Sequence, residues 1–142
     1  KLKVNYFSKF VDYPVISDDS GLCIKALNNK PGIYSARLAK KKGGFFKAMK
    51  FILKKMEKNK NRRATFVCSL SYKNIKGKIA TVEGRLKGNI SYKILGEKGF
   101  GYDPIFKPLN KKITFGQMAK IKKINMDHRF MAFKKLKKKI KI

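Results

Sequence analysis

The chain has 142 residues, with 37 Lys and Arg against 8 Asp and Glu, giving a formal net charge of +29. That length is one domain's worth, and its 43% hydrophobic content can build a core. Wholesale disorder is excluded, because it needs low hydrophobicity as well as high charge. No apolar run approaches the roughly 18 residues that span a bilayer. Lys1 to Phe10 lack the apolar centre of a secretory signal. No membrane partner and a cytoplasmic location are therefore expected.

The basic residues are 32 Lys and 5 Arg, and most lysines are scattered singly. With plentiful Ile, Asn, Phe and Tyr, they read as the output of AT-rich codons rather than as a selected nucleic-acid surface. The exceptions are Lys40 to Lys42, Lys58 to Arg63 and Lys134 to Lys141, runs of a kind that is usually a solvated face or end. Cys23 and Cys68 sit in apolar stretches without C-x-x-C spacing and read as reduced core thiols. One histidine in the chain speaks against zinc.

Along the chain, Leu2, Tyr6, Phe7 and Phe10 fit an amphipathic helix end. Val15-Ile16 reads as a short buried strand closed by a turn at Asp18-Asp19-Ser20-Gly21. A second apolar stretch, Leu22 to Leu27, ends at the turn Asn28 to Gly32. Phe45, Met49, Ile52, Leu53 and Met56 recur at helical spacing. Arg63 to Tyr72 is rich in β-branched and aromatic residues and predicts a strand, paired through Asn74 to Gly77 with Lys78 to Leu86. Gly88 begins another short strand, Ile90 to Leu95. Gly96 to Pro104 is a loop, Ile113 to Ile124 a short helix or turn, and Met126 to Lys139 a helix with Phe130, Phe133 and Leu136 on one face. This order predicts one α/β domain over residues 1–142, a mixed twisted central sheet with flanking helices.

Acids are so scarce that their placement is informative. Asp18-Asp19 is a candidate magnesium site, since Mg²⁺ takes one or two protein carboxylates and completes its shell with water and phosphate. The same pair also fits an Asx-turn or helix cap. Gly99-Phe100-Gly101-Tyr102-Asp103-Pro104 joins aromatic faces to a carboxylate, suited to stacking a base or to a tight turn capping the core. Asp127 is a good N-cap for a helix opened by His128-Arg129; those two residues read equally as plain surface groups.

Taken together, Asp18 to Leu22, Pro31-Gly32-Ile33-Tyr34-Ser35-Ala36-Arg37, Gly99 to Phe106 and His128-Arg129 resemble the inosine triphosphate pyrophosphatase family, from about Lys3 to Leu136. The resemblance implies a two-lobed fold and Mg²⁺-dependent hydrolysis of non-standard purine nucleoside triphosphates (ITP, dITP, XTP) to monophosphate and pyrophosphate. It implies that Asp19 is the metal ligand and orients or deprotonates the attacking water, with Asp18 in support as a second catalytic acid. It implies substrate contacts from Lys3, Ser20 and Arg37. It also implies a base site built from Phe100, Gly101, Tyr102, Asp103, Lys123, His128 and Arg129. The donors among these suit the 6-oxo group of inosine and leave adenine badly paired. A homodimer is expected as well.

Three positions depart from the family pattern: Asp127 where Ser is usual, Gln117 where Glu is usual, and Ala48 where Asn is usual. Asp127 is expected to favour protonated His128. The resemblance further implies an upstream strand, a loop of the pattern Thr-Gly-Asn-x-x-Lys and a metal-sharing Glu, all preceding Lys3. Their absence and the biased composition leave one alternative, an inactive remnant of the family that binds nucleotides or nothing; the charge alone suggests another, a basic nucleic-acid-binding module.

Overall fold

Arg63–Lys73 (β3) and Ile79–Ile90 (β4) form the long antiparallel hairpin that the sequence predicts, in a computed structural model that describes residues 1–141. Its turn is closed by Gly77 N–H donating to the Asn74 carbonyl at 3.0 Å and Lys78 N–H to Asn74 Oδ1 at 2.8 Å. Val15–Ile24 (β1) pairs with the other edge of β3, Lys30–Gly32 (β2) lies outside β1, and Phe106–Pro108 (β5) lies outside β4. The sheet order is β2-β1-β3-β4-β5.

The central sheet with flanking helices is as expected, but every pairing is antiparallel rather than mixed. The helices Ser35–Lys42 (α2) and Phe45–Lys55 (α3) connect β2 to β3. Those two strands run the same way, yet β1 lies between them, so no parallel ladder forms.

Side chains alternate across a strand, and one face of this sheet carries nearly all the core. Leu22, Phe66 and Leu86 sit side by side across β1, β3 and β4 and are buried. α2, α3 and the segment from Tyr102 to Met118 cover that end of the face. The helix His128–Lys139 (α5) covers the other end, where Ala132 and Leu136 meet Cys68, Leu70 and Ala80. This gives the two lobes, with a seam between them. Among the described residues, the opposite face packs against the short helix Leu2–Phe7 (α1), which buries Val4. A further short helix, Lys120–Ile124 (α4), leads into α5.

Five local expectations change. Asp18-Asp19-Ser20-Gly21 is not a turn but the middle of β1, and Ile16 is exposed rather than buried. Gly21 is there for proximity: a Cβ on it would stand 2.1 Å from the Gly32 carbonyl oxygen. Gly88 likewise lies inside β4 rather than starting a strand, since a Cβ would meet the Phe106 ring at 2.6 Å. No strand follows over Ile90 to Leu95, because the Arg62 guanidinium takes the Ile90 and Ser91 carbonyls at 3.0 and 2.6 Å. On α5 the buried stripe is His128, Ala132 and Leu136, at i, i+4 and i+8, while Phe133 is exposed.

Cys68 is buried and Cys23 half-buried, and both are free thiols. Among the described residues no helix is long and apolar enough to cross a membrane.

Candidate active site

At the seam between the lobes lies a cavity of about 190 Å³. Its floor is the core face of β1 and β3, at Ser20, Leu22 and Phe66. Its walls are the start of α2, the loop Phe100 to Asp103, and the first turn of α5 with His128 and Arg129. A second groove of about 650 Å³ adjoins it across Phe100 and Arg129 and runs over Lys123 and Phe133.

The loop end is tightly built. Asp103 is buried and accepts from the Lys123 ammonium at 2.5 Å and from Phe100 N–H at 2.9 Å. Lys123 is also buried, so this is an ion pair withdrawn from water. Burial pushes the Asp103 carboxyl up, against the opposing pull of Lys123 and the Phe100 N–H. Tyr102 is buried and donates its hydroxyl to the Ser35 carbonyl at 2.7 Å, and burial pushes its pKa up to about 12. Phe100 remains exposed, with Lys123 Nζ at 4.6 Å and Arg129 Cζ at 4.7 Å from its ring centroid.

His128 is buried and stacked on Phe66, with centroids 4.7 Å apart. Burial first, then the charges of Arg129 and Lys123, lowers its pKa to about 4, while Asp127 pulls weakly the other way. The expectation of a protonated His128 is therefore corrected: desolvation outweighs the neighbouring carboxylate. Asp127 instead caps α5, accepting from Phe130 N–H at 2.8 Å. His128 Nδ1 is buried with no hydrogen-bond partner in the chain.

The acid end is open. Asp18 Oδ1 accepts from Ser20 Oγ at 2.7 Å, and Asp18 Oδ2 accepts from Arg129 Nε at 2.7 Å. Burial alone would raise the Asp18 pKa, but the bonds from Ser20 and Arg129 hold it below its ordinary value. Asp19 points to the other face of the sheet, where Lys3 of α1 pairs with it. The two acids thus do not share one site; strand alternation puts the sheet between them.

Among the described residues no three His, Cys, Asp or Glu side chains converge as a metal cluster. Asp19 is exposed and offers one hard anionic oxygen. That fits a magnesium ion taking a single protein carboxylate, with water and substrate phosphate completing the shell. It does not fit a site shared with Asp18.

The structure therefore gathers Ser20, Phe100, Gly101, Tyr102, Asp103, His128 and Arg129 around one cavity, with Lys123 behind Phe100. Lys3 joins Asp19 on the far face. Arg37 is not brought in: it stacks over Tyr34 at 5.4 Å and lines a separate groove with Phe51 and Lys55. Ser35 was not singled out from the sequence, yet its buried hydroxyl accepts from Leu22 N–H at 2.9 Å and donates to the Gly32 carbonyl at 2.7 Å. Its place in the motif Tyr34-Ser35-Ala36-Arg37 is the signal for it in the sequence.

The fold is that of an α/β protein built on an antiparallel sheet, with a basic, aromatic cleft at the seam of its two lobes. The sequence profile of the Ham1 family matches residues 1–139. The chain is 42% identical over 140 residues to a dITP/XTP pyrophosphatase of Dictyoglomus thermophilum, covering 96% of this chain and 67% of that protein. It is 46% identical over 132 residues to a dITP/XTP pyrophosphatase of Borrelia duttonii, covering 88% and 65%. Among solved structures, the Staphylococcus aureus Ham1 protein superposes with a TM-score of 0.91 at 36% identity, over 99% of this chain and 73% of that one. The chain spans about two thirds of the length of the curated relatives it matches. It belongs to the Ham1 family, and the resemblance to inosine triphosphate pyrophosphatases drawn from its motifs holds.

Proposed function

We propose that this protein is a nucleoside triphosphate pyrophosphatase that hydrolyses non-standard purine nucleoside triphosphates (ITP, dITP and XTP) to the monophosphate and pyrophosphate. The observation that carries the reading is the buried Lys123–Asp103 pair behind the exposed Phe100 ring, with Arg129 and neutral His128 beside it. A base stacks on Phe100. Lys123 and Arg129 donate to its 6-oxo edge, and the same donors have no acceptor on an adenine amino group. A site built for hydrogen bonds rejects strongly what leaves them unpaired.

Asp19 accepts the proton of the attacking water and orients it, Lys3 contacts the phosphate chain on the same side, and Ser20 contacts the substrate from the cavity side. Mg²⁺ held at Asp19 would supply charge neutralisation at the phosphates, which is most of what phosphoryl transfer needs. The α5 N-terminus, already capped by Asp127, fixes where His128 and Arg129 stand. A homodimer in the cytoplasm completes the proposal.

The test is pyrophosphate release from ITP and XTP against ATP with Mg²⁺, on the full chain. The expected result is a preference on the order of a hundredfold for ITP and XTP over ATP. Equal rates on ITP and ATP, or no release at all, would reject the reading. Tight, salt-sensitive RNA binding without hydrolysis would instead favour a basic nucleic-acid module.

A further inference from the structure

The geometry points to Asp18 as a positioning residue that acts through Arg129, setting base discrimination rather than serving the metal. This rests on the proposed function above, and it assigns to the first acid of the pair a task different from that of the second.

Both oxygens of Asp18 are committed on the core face. Oδ1 is held by Ser20 Oγ at 2.7 Å and Oδ2 holds Arg129 Nε at 2.7 Å. The buried Cys68 lies beside the carboxylate on that face. Only the Asp18 backbone carbonyl, which accepts from Lys3 Nζ at 3.2 Å, is turned to the face on which Asp19 meets Lys3; its carboxylate is not. An ion there and a carboxylate here would have the sheet between them.

The contact to Arg129 is specific in what it uses. It uses Nε rather than a terminal amino group, on an arginine that lines the cavity with its guanidinium carbon 4.7 Å from the Phe100 ring centroid. An arginine side chain is long and rotamer-rich, and holding it by one charge-assisted bond fixes the direction of the remaining donors. The pair also joins two lobes: Asp18 is in β1 and Arg129 in the first turn of α5. Base reading on α5 is thereby aligned to the strand that carries Asp19.

The experiment compares Asp18→Asn, Asp19→Asn, Arg129→Gln and the Asp18→Asn/Arg129→Gln double variant, with kcat and KM measured separately for ITP and ATP. Asp18→Asn is expected to cut the ITP-over-ATP ratio of kcat/KM roughly tenfold or more, with KM for ITP rising by more than kcat falls. The double variant is expected to be no worse than Arg129→Gln alone, since the acid acts only through the arginine. Asp19→Asn is expected to lose kcat with the ratio kept. Loss of kcat in Asp18→Asn to the level of Asp19→Asn, with KM unchanged, overturns the proposal, as do additive single effects. A second readout needs no turnover: the Arg129 Nε–Hε resonance should shift in Asp18→Asn and stay in Asp19→Asn. If the unmodified protein shows no preference for ITP, the proposed function fails, while the resonance still decides whether Asp18 holds Arg129.

Discussion

The two ends of the site are built on opposite principles. At the proposed base end, Asp103, Lys123, Tyr102 and His128 are all buried; the first three find their polar partners in the chain itself, and His128 stacks on Phe66. At the proposed phosphate end, Asp19 and Lys3 are exposed and paired with each other, with the Asp18 carbonyl as a second acceptor for Lys3. Recognition is prearranged in a low-dielectric pocket, where an unpaired group is costly. Chemistry is left to groups that water and substrate can reach. On the proposed function, the difference teaches that selectivity is carried in the fold's stability, while turnover is not.

That contrast predicts where damage shows. Asp19→Asn should lower kcat by roughly 10²–10⁴-fold, the scale of a lost general base, with the melting temperature unchanged in calorimetry. A melting temperature that falls along with activity would break the contrast. Asp103→Asn or Lys123→Met leaves one buried charge unpaired, and should cost about 3–5 kcal/mol in urea unfolding. The double change Asp103→Leu/Lys123→Met should recover much of that stability and still fail to separate ITP from ATP.

His128 sharpens the same point through pH. Its folded pKa of about 4 lies below the ordinary value of 6.5, so the unfolded chain binds a proton that the folded chain refuses. Stability from this group is full above about pH 6.5 and is lost as pH falls toward 4, by roughly 3 kcal/mol. His128→Gln should flatten that acid limb in denaturant titrations between pH 4 and 7. The smallest effect is expected at Arg37, whose side chain stacks on Tyr34 away from the cavity. Arg37→Ala should change pyrophosphate release less than twofold and stability by no more than about 0.5 kcal/mol.

Much of this was legible in the residues. Alternating β-branched and aromatic residues marked β3, helical spacing marked α3, and Asp127 marked the start of α5. The base loop and the His-Arg pair were found as motifs, and the structure brings them around one cavity. What misled was glycine. Gly21 and Gly88 read as punctuation, yet both lie within strands, admitting a neighbouring carbonyl or ring. A glycine's sequence neighbours do not tell whether it frees the backbone or makes room for another segment. Burial was the second gap: adjacency to Asp127 suggested a charged His128, but the cost of desolvation depends on Phe66 and the packed cavity, which only the folded chain supplies.

The acid pair at Asp18-Asp19 has one more implication. Because neighbouring strand residues face opposite ways, the two carboxylates are distinguished only by parity, one even and one odd along β1. A one-residue slip of β1 against β3 would exchange them, presenting the partner of Arg129 to Lys3 and the partner of Lys3 to the cavity. The separation of the two acids is thus stored in the phase of a strand, and the pairing of Asp18 with Leu70 and Asp19 with Ser69 keeps it.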